Sequence, residues 1–397
     1  MKGSKRSCGA RTKNIDLPHR VVIGDSAIYD IGELCRELDF KNPLVLAGSN
    51  TYKISAKVIE EELSEIYTSK PCIALAERES INISNNQKSA GVSYDEGSCD
   101  FAGFEKNNDE HPLTAIQKIG KELFDKLNLS DNYEPDSIDG IIGTGGGYII
   151  DLGKLLAFCK NLPYISVPTS ASHDGIASPR VSIRCGKPIS IKVHSPVGIV
   201  ADTDIIKNSP ANLISAGCSD AISNYTAVLD WKLARDEKGE YYGDYAASLS
   251  EMSAKIVMDN AQSIGGDISV LVEALISSGV AIGIADSSRP CSGSEHAFSH
   301  ALDIISAERK KEGALHGHQC GVGTIMMSYL HKARWKDVKE ALLSVDAPTT
   351  ACDLGFDEDE IIEAMMRAHA IRDRYTILRE GLSRKRAVEV ARATGVI

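Results

Sequence analysis

The chain has 397 residues, 43% of them hydrophobic and 25% charged, with a formal net charge of −11. At roughly 150 residues per domain this is chain for two or three domains, and a composition this close to the globular average excludes wholesale disorder and fibrous repeats. The acidic balance lacks the basic footprint of a nucleic-acid binder, and no apolar run reaches the ~20 residues of a membrane span, so neither nucleic acid nor a bilayer is an expected partner.

The basic start Met1–Arg6 is not followed by the apolar core of a signal peptide, which predicts a cytoplasmic protein. Ten cysteines are scattered from Cys8 to Cys352 without a C-x-x-C pair, a pattern that predicts reduced, mostly buried thiols rather than a disulfide framework.

The first half alternates short apolar runs with helical patterns, as a parallel sheet of βα units requires. Strands are predicted over His19 to Ile23, Leu44 to Ala47, Cys72 to Leu75, Ile138 to Ile142, Tyr164 to Val167 and Gly198 to Ala201. Helical spacing fills Ile54 to Ile66 and Ile149 to Cys159. Past Pro179, Arg180 to Arg184 and Pro188 to Val193 flank Cys185-Gly186-Lys187, a hairpin-like turn. From about Pro210 the β signal disappears. Leu213 to Trp231, Tyr245 to Ile264, Val270 to Ala285 and Glu358 to Tyr375 all carry helical periodicity. The expected architecture is an α/β dinucleotide-binding domain with a parallel sheet over residues 1–207, then an all-helical domain over 208–397. Residues 77–112, rich in Ser, Asn, Asp and Glu, read as a polar surface insertion in the first.

Three features carry chemistry. Gly143-Thr144-Gly145-Gly146-Gly147 stands between a strand and a helix, where bare backbone N–H groups and a helix start suit a pyrophosphate. Its spacing is not G-x-G-x-x-G, so an ordinary Rossmann protein is a poor match, and a plain tight βα turn is the alternative. The stretch Ser166 to Pro179 is hydroxyl-rich and follows a strand at the sheet edge where α/β folds bind ligands. In the helical half, His296 and His300 share one helical face, and His316, 20 residues past His296, and His318 follow. Two imidazoles with one carboxylate leave an open coordination position, the arrangement of a catalytic divalent metal, and Asp220 is the candidate carboxylate.

The segments Ser166 to Pro179, Ala216 to Ala227, Gly293 to His300 and His316 to Thr324 closely resemble archaeal-type glycerol-1-phosphate dehydrogenases, relatives of the iron-containing alcohol dehydrogenases, glycerol dehydrogenases and dehydroquinate synthases. The resemblance runs from about Pro18 to Leu378, excluding the insertion. It implies zinc on Asp220, His296 and His316, and substrate contacts on Asp174, Asp220 and His300, with Asp174 or His300 in the proton relay. It implies NAD or NADP on Gly145, Gly146 and Gly147, on the helix start with Tyr148, Ile149 and Asp151, on Thr169, Ser170, Ala171 and Ser172, and on Ser178. His318 is left outside the metal shell. The implied reaction reduces dihydroxyacetone phosphate to glycerol 1-phosphate for archaeal ether lipids, in a homo-oligomer. Glycerol dehydrogenase, acting on the unphosphorylated triol, is the alternative. Arg180, Arg184, Lys187 and Lys192 are candidate phosphate contacts, or solvated hairpin charges. At Gly48 to Thr51 the strand end offers no carboxylate to repel the NADP phosphate, which predicts NADPH used at least as well as NADH.

Overall fold

The computed structural model describes residues 15–67, 71–76, 124, 127–129, 137–185 and 187–397. The polar segment 77–112 lies outside the described residues, and no described helix is long and apolar enough to cross a membrane.

Each of the six apolar runs forms a strand: β1 Arg20–Gly24, β2 Pro43–Ala47, β3 Cys72–Leu75, β5 Gly140–Gly145, β6 Tyr164–Pro168 and β9 Gly198–Asp202. They pair in parallel in the order β1-β9-β6-β5-β2-β3, and the two-residue β4 Asn128–Leu129 adds an antiparallel edge on β3. Every residue of β2, β5, β6 and β9 is buried, which is why they read as continuous rather than alternating apolar runs. β5 extends past its predicted end into the glycine stretch. A side chain at Gly143 would lie 2.4 Å from the Tyr164 hydroxyl on the neighbouring strand, so this glycine serves the sheet rather than the turn.

Helices α1 Ile31–Glu37, α2 Lys57–Ile66 and α3 Gly147–Lys160 cover the sheet. The hairpin forms as predicted, with β7 Arg180–Cys185 and β8 Lys187–Lys192 in antiparallel register Arg180 to Lys192. The rest is helical: α4 Ala211–Lys238, α5 Asp244–Asp259, α6 Ser269–Ala285, α7 Ser294–Glu308, α8 His316–Leu330, α9 Trp335–Ser344, α10 Glu358–Arg367 and α11 Arg384–Thr394. Two expected helices are shorter than predicted. α5 stops at Asp259, ahead of Gly265-Gly266. α10 stops at Arg367, and after one short turn the chain folds back so that the Ile377 N–H donates at 2.7 Å to Oδ1 of Asp230 on α4, whose Oδ2 accepts from the Ser294 N–H at the start of α7.

One core runs through the helical part around Ile222, Phe298, Leu302, Val322 and Met326, and it reaches Ala171, Ile176, Ile199 and Ala201 of the α/β part. The seam between the two parts is therefore apolar and packed. The site described next lies along it.

Candidate active site

The chain leaves β2 toward β3 on one side, and leaves β5 toward β6 on the other. The crevice at the carboxyl ends of β2 and β5 is thus the topological switch point of the sheet, where α/β folds take up ligands. From β5 the chain turns through Gly146, the N-cap of α3, so the first N–H groups of a 14-residue helix open onto this crevice. From β2 it turns at Gly48, whose N–H donates to Thr51 Oγ at 3.0 Å, while the Thr51 hydroxyl lies 3.2 Å from the Thr144 carbonyl. Ser49 and Asn50 are exposed at this turn, and Thr51 is bound to the two loops it joins.

The hydroxyl-rich stretch lines the same crevice. The Thr169 N–H donates to the Gly145 carbonyl at 3.0 Å. Ser170 Oγ comes within 3.7 Å of where a Gly146 side chain would start, and it is buried with no hydrogen-bond partner among the described residues. A buried hydroxyl left without a partner beside a helix N-terminus suits an incoming phosphate oxygen, so the turn fits a dinucleotide. Among the other expected contacts, Ile149 is buried and Tyr148 is partly exposed at the head of α3. Asp151 is held by the hairpin instead: Oδ2 accepts from the Ser182 N–H at 2.9 Å and Oδ1 lies 2.8 Å from Lys154 Nζ. Ala171 faces the helical part, Ser172 Oγ sits 3.5 Å from His173 Nδ1, and the Ser178 N–H donates to the Asp174 carbonyl.

Two features fix the loop 169–180 in place. A side chain at Gly217 of α4 would begin 1.8 Å from the Ala171 carbonyl oxygen, so only glycine lets helix and loop backbones meet. α4 is itself seated closely on α8, where a Cβ at Gly317 would lie 2.0 Å from the Ala216 carbonyl oxygen. From the other side Lys154, fully buried in α3, reaches the carbonyls of Gly175 at 2.8 Å, Ser178 at 3.3 Å and Arg180 at 2.5 Å. The loop is thereby tied both to α3 and to α4, which carries Asp220.

Asp220, His296, His316 and Cys320 place one donor atom each within 4.8 Å of one another. The rings are oriented by their outer nitrogens. His296 Nδ1 is 3.0 Å from Oε1 of the buried Glu295, which also accepts from the Gly293 N–H, while Oε2 accepts from the Thr226 hydroxyl. His316 Nδ1 is 3.0 Å from Ser299 Oγ, and the Ser299 hydroxyl donates to Gln319 Oε1 at 2.6 Å. With its single proton spent on Gln319, Ser299 can only accept from His316, which puts the ring proton on Nδ1 and the lone pair on Nε2. His296 Nε2 lies 3.9 Å from Asp220 Oδ1.

Burial pushes the His296 imidazole down to about 3, aided by the charges of Arg372 and Arg374, and pushes His316 well below the usual range. Burial, then the neighbouring Asp174 carboxylate, pushes Asp220 well above its usual range. Two neutral imidazoles and a carboxylate starved of countercharge are a donor set that a divalent cation satisfies. The residues present fit the metal.

Around these donors, the Asp174 N–H donates to Asp220 Oδ2 at 3.0 Å. The His300 ring stacks on His316 at 5.7 Å between centroids. Arg372 Nη2 donates to His300 Nε2 at 2.9 Å and Nη1 to Ser292 Oγ at 3.1 Å, while Arg374 holds the Ser292 carbonyl at 2.7 Å. Sequence reasoning missed both arginines. Of the hairpin cations, Lys192 pairs with Asp286, and the Arg184 and Lys187 side chains lie outside the described residues. His318 stands apart from the donors, with Nε2 at 2.8 Å from Ser215 Oγ.

The family described as "Iron-containing alcohol dehydrogenase" matches residues 110–210. Among solved structures, the glycerol dehydrogenase of Schizosaccharomyces pombe superimposes with a TM-score of 0.68 at 18% identity, covering 97% of this chain and 91% of that one. The sulfoacetaldehyde reductase of Bifidobacterium kashiwanohense, solved with NAD+, gives 0.58 at 13% identity, covering 90% and 92%. The fold is that of the iron-containing alcohol dehydrogenase class. Among curated sequences, the glycerol-1-phosphate dehydrogenase [NAD(P)+] of Methanosarcina mazei is 42% identical over 395 residues, 97% of each chain. That of Cenarchaeum symbiosum is 55% identical over 260 residues, 64% of this chain and 72% of its own. The chain belongs to the glycerol-1-phosphate dehydrogenase family.

Proposed function

We propose that the protein is a metal-dependent NAD(P)-linked oxidoreductase that interconverts dihydroxyacetone phosphate and glycerol 1-phosphate. Full-length similarity to enzymes of that name supports the substrate pair. The observation that carries the chemistry is the convergence of Asp220 with the two imidazole Nε2 atoms, each ring held by a hydrogen bond on its far nitrogen.

When bound, the cation polarises the ketone oxygen and the dinucleotide supplies the hydride. The chain's own residues do the rest. Asp220, His296 and His316 hold the cation. The α3 start, Thr169 and the unpartnered Ser170 hydroxyl hold the dinucleotide across the crevice. Asp174 sits on Asp220 through its backbone, and His300 beside His316; these two flank the donors and position the substrate hydroxyls and the proton that completes the alcohol. Arg372, tied to His300, presents a planar cation at the same edge and is the group we assign to the substrate phosphate. Glycerol dehydrogenase activity needs no such cation, so Arg372 favours the phosphorylated substrate.

The test compares dihydroxyacetone phosphate with dihydroxyacetone, each with NADH and NADPH, before and after chelation. The expected result is phosphate-dependent turnover that chelation abolishes and zinc restores. Turnover of both ketones at equal efficiency would refute the substrate assignment. The expected self-association belongs to the same reading and is checked by light scattering.

A further inference from the structure

We propose that His173 is a positioning residue for hydride transfer, a spacer that sets how close the turn carrying Asp174 comes to the head of α3. The inference rests on the dinucleotide and metal readings above and extends them to a residue to which neither the sequence motifs nor the family resemblance gives a role.

The His173 imidazole packs against two bare backbones. A side chain at Gly147, the first residue of α3, would begin 2.5 Å from His173 Cε1, and one at Gly175 would begin 2.5 Å from Nε2. In both cases the three nearest atoms all belong to this ring, so the ring fills the space that either Cβ would take. Neither glycine adopts a positive φ, so it is the ring, and not the backbone conformation, that excludes a side chain at these positions.

The same helix also draws the turn inward. Lys154 stands 154 − 147 = 7 residues after Gly147, two turns along the same face, and its Nζ donates to the Gly175 carbonyl at 2.8 Å. A tether that pulls and a ring that stops the approach together define one separation. At its other end the turn is bound to the metal donors, since the Asp174 N–H donates to Asp220 Oδ2 at 3.0 Å. His173 thus stands in an unbroken line of contacts from the dinucleotide seat to the donor set.

That separation matters for the reaction. Reduction passes a hydride, with its electron pair, from the reduced nicotinamide to the ketone carbon, and the ketone oxygen takes up a proton. The transfer requires reacting atoms about 3–3.5 Å apart, and a misplacement of about 1 Å costs about 100-fold in rate. Removing the ring frees the separation without altering a metal donor or an N–H group of α3.

The experiment uses the whole zinc-loaded protein and reads zinc content, NADH affinity by fluorescence, thermal melting and kcat with dihydroxyacetone phosphate. His173→Ala should keep the zinc and NADH affinity of wild type while kcat falls by about 100-fold. Gly175→Ala, with the ring still in place, should melt lower and turn over more slowly. In the double variant the new methyl group enters the space the ring has left, so it should melt higher and turn over faster than Gly175→Ala alone. Losses that simply multiply in the double variant would show that the two positions share no contact, and overturn the proposal. So would a His173→Ala with wild-type kcat, one that loses zinc, or one whose NADH affinity falls in step with its turnover, which would make the ring a cofactor contact. Should His173→Ala fail to fold, Gly175→Ala decides alone, and an unchanged kcat there overturns the proposal. Wild-type protein that binds no NADH would bring down the dinucleotide reading itself; NADH binding with unchanged turnover in His173→Ala removes His173 alone.

Discussion

Gly217→Ala tests whether the close approach of α4 to the loop 169–180 sets the geometry of the site. The added Cβ would begin 1.8 Å from the Ala171 carbonyl oxygen, and ordinary contact starts at 3.4 Å, so the two backbones must separate by 3.4 − 1.8 = 1.6 Å. α4 cannot retreat, because on α8 Gly317 already meets the Ala216 carbonyl with no room to spare. The loop must yield, and with it the 3.0 Å bond from the Asp174 N–H to Asp220. Overpacking of this kind costs about 1–3 kcal/mol of stability, and a 1 Å misplacement of a positioning group costs about 100-fold in rate. The expected variant is soluble, melts a little lower than wild type, and has kcat/KM for dihydroxyacetone phosphate down by about 100-fold. Thermal melting and steady-state nicotinamide absorbance read the two effects separately. A variant that matches wild type in both would show that the seam has slack and that Gly217 does not set the site.

Asp220→Ala, His296→Ala and His316→Ala should each lose zinc and turnover together, whereas His300→Ala should keep its zinc and lose catalytic efficiency; metal analysis alongside kinetics separates them. Arg372→Gln should raise KM for dihydroxyacetone phosphate by about 10–100-fold, the worth of a charge-assisted hydrogen bond, with metal content unchanged. An unaltered KM would remove Arg372 from the phosphate site. Lys154→Met strips the Gly175, Ser178 and Arg180 carbonyls of their shared donor and leaves Asp151 without its cation, a loss of about 3–5 kcal/mol in chemical unfolding. Ser49→Asp, at the exposed turn after β2, should shift cofactor preference toward NADH; a wild-type enzyme that already rejects NADPH would refute that reading of the turn.

Strands whose faces are all buried announce themselves as unbroken apolar runs, and β2, β5, β6 and β9 were legible for that reason, while β1 and β3, only partly buried, were legible as short apolar runs between helical patterns. β4, two residues at the sheet edge, carries no such signal. The glycine turn was visible in composition but not in register, because Gly143 answers to Tyr164 on the next strand, a contact that no local pattern contains. His296 and His316 stood out by spacing. Lys154 looks like any lysine of a helix, and only the tertiary fold shows it buried among three carbonyls. Arg372 and Arg374 were absorbed into an overlong helix, since periodicity continues to Tyr375 while the backbone leaves the helix at Arg367. Among the hairpin cations, Lys192 lies close in sequence to Asp174 but pairs with Asp286, a tertiary contact that no local pattern contains.

The pairing of β1 with β9 joins residues 198 − 20 = 178 positions apart, from Arg20 to Gly198. On a ribosome adding about 5–20 residues per second, the N-terminal strand therefore waits about 10–35 s for its neighbour to be made. Among the described residues β1 has no other partner in the sheet order, so over that interval it is an edge whose N–H and C=O groups await β9. A chain halted before residue 198 has a sheet that closes only as far as β6, with β1 outside it. Synthesis, rather than collapse, sets the earliest time at which this sheet can be completed.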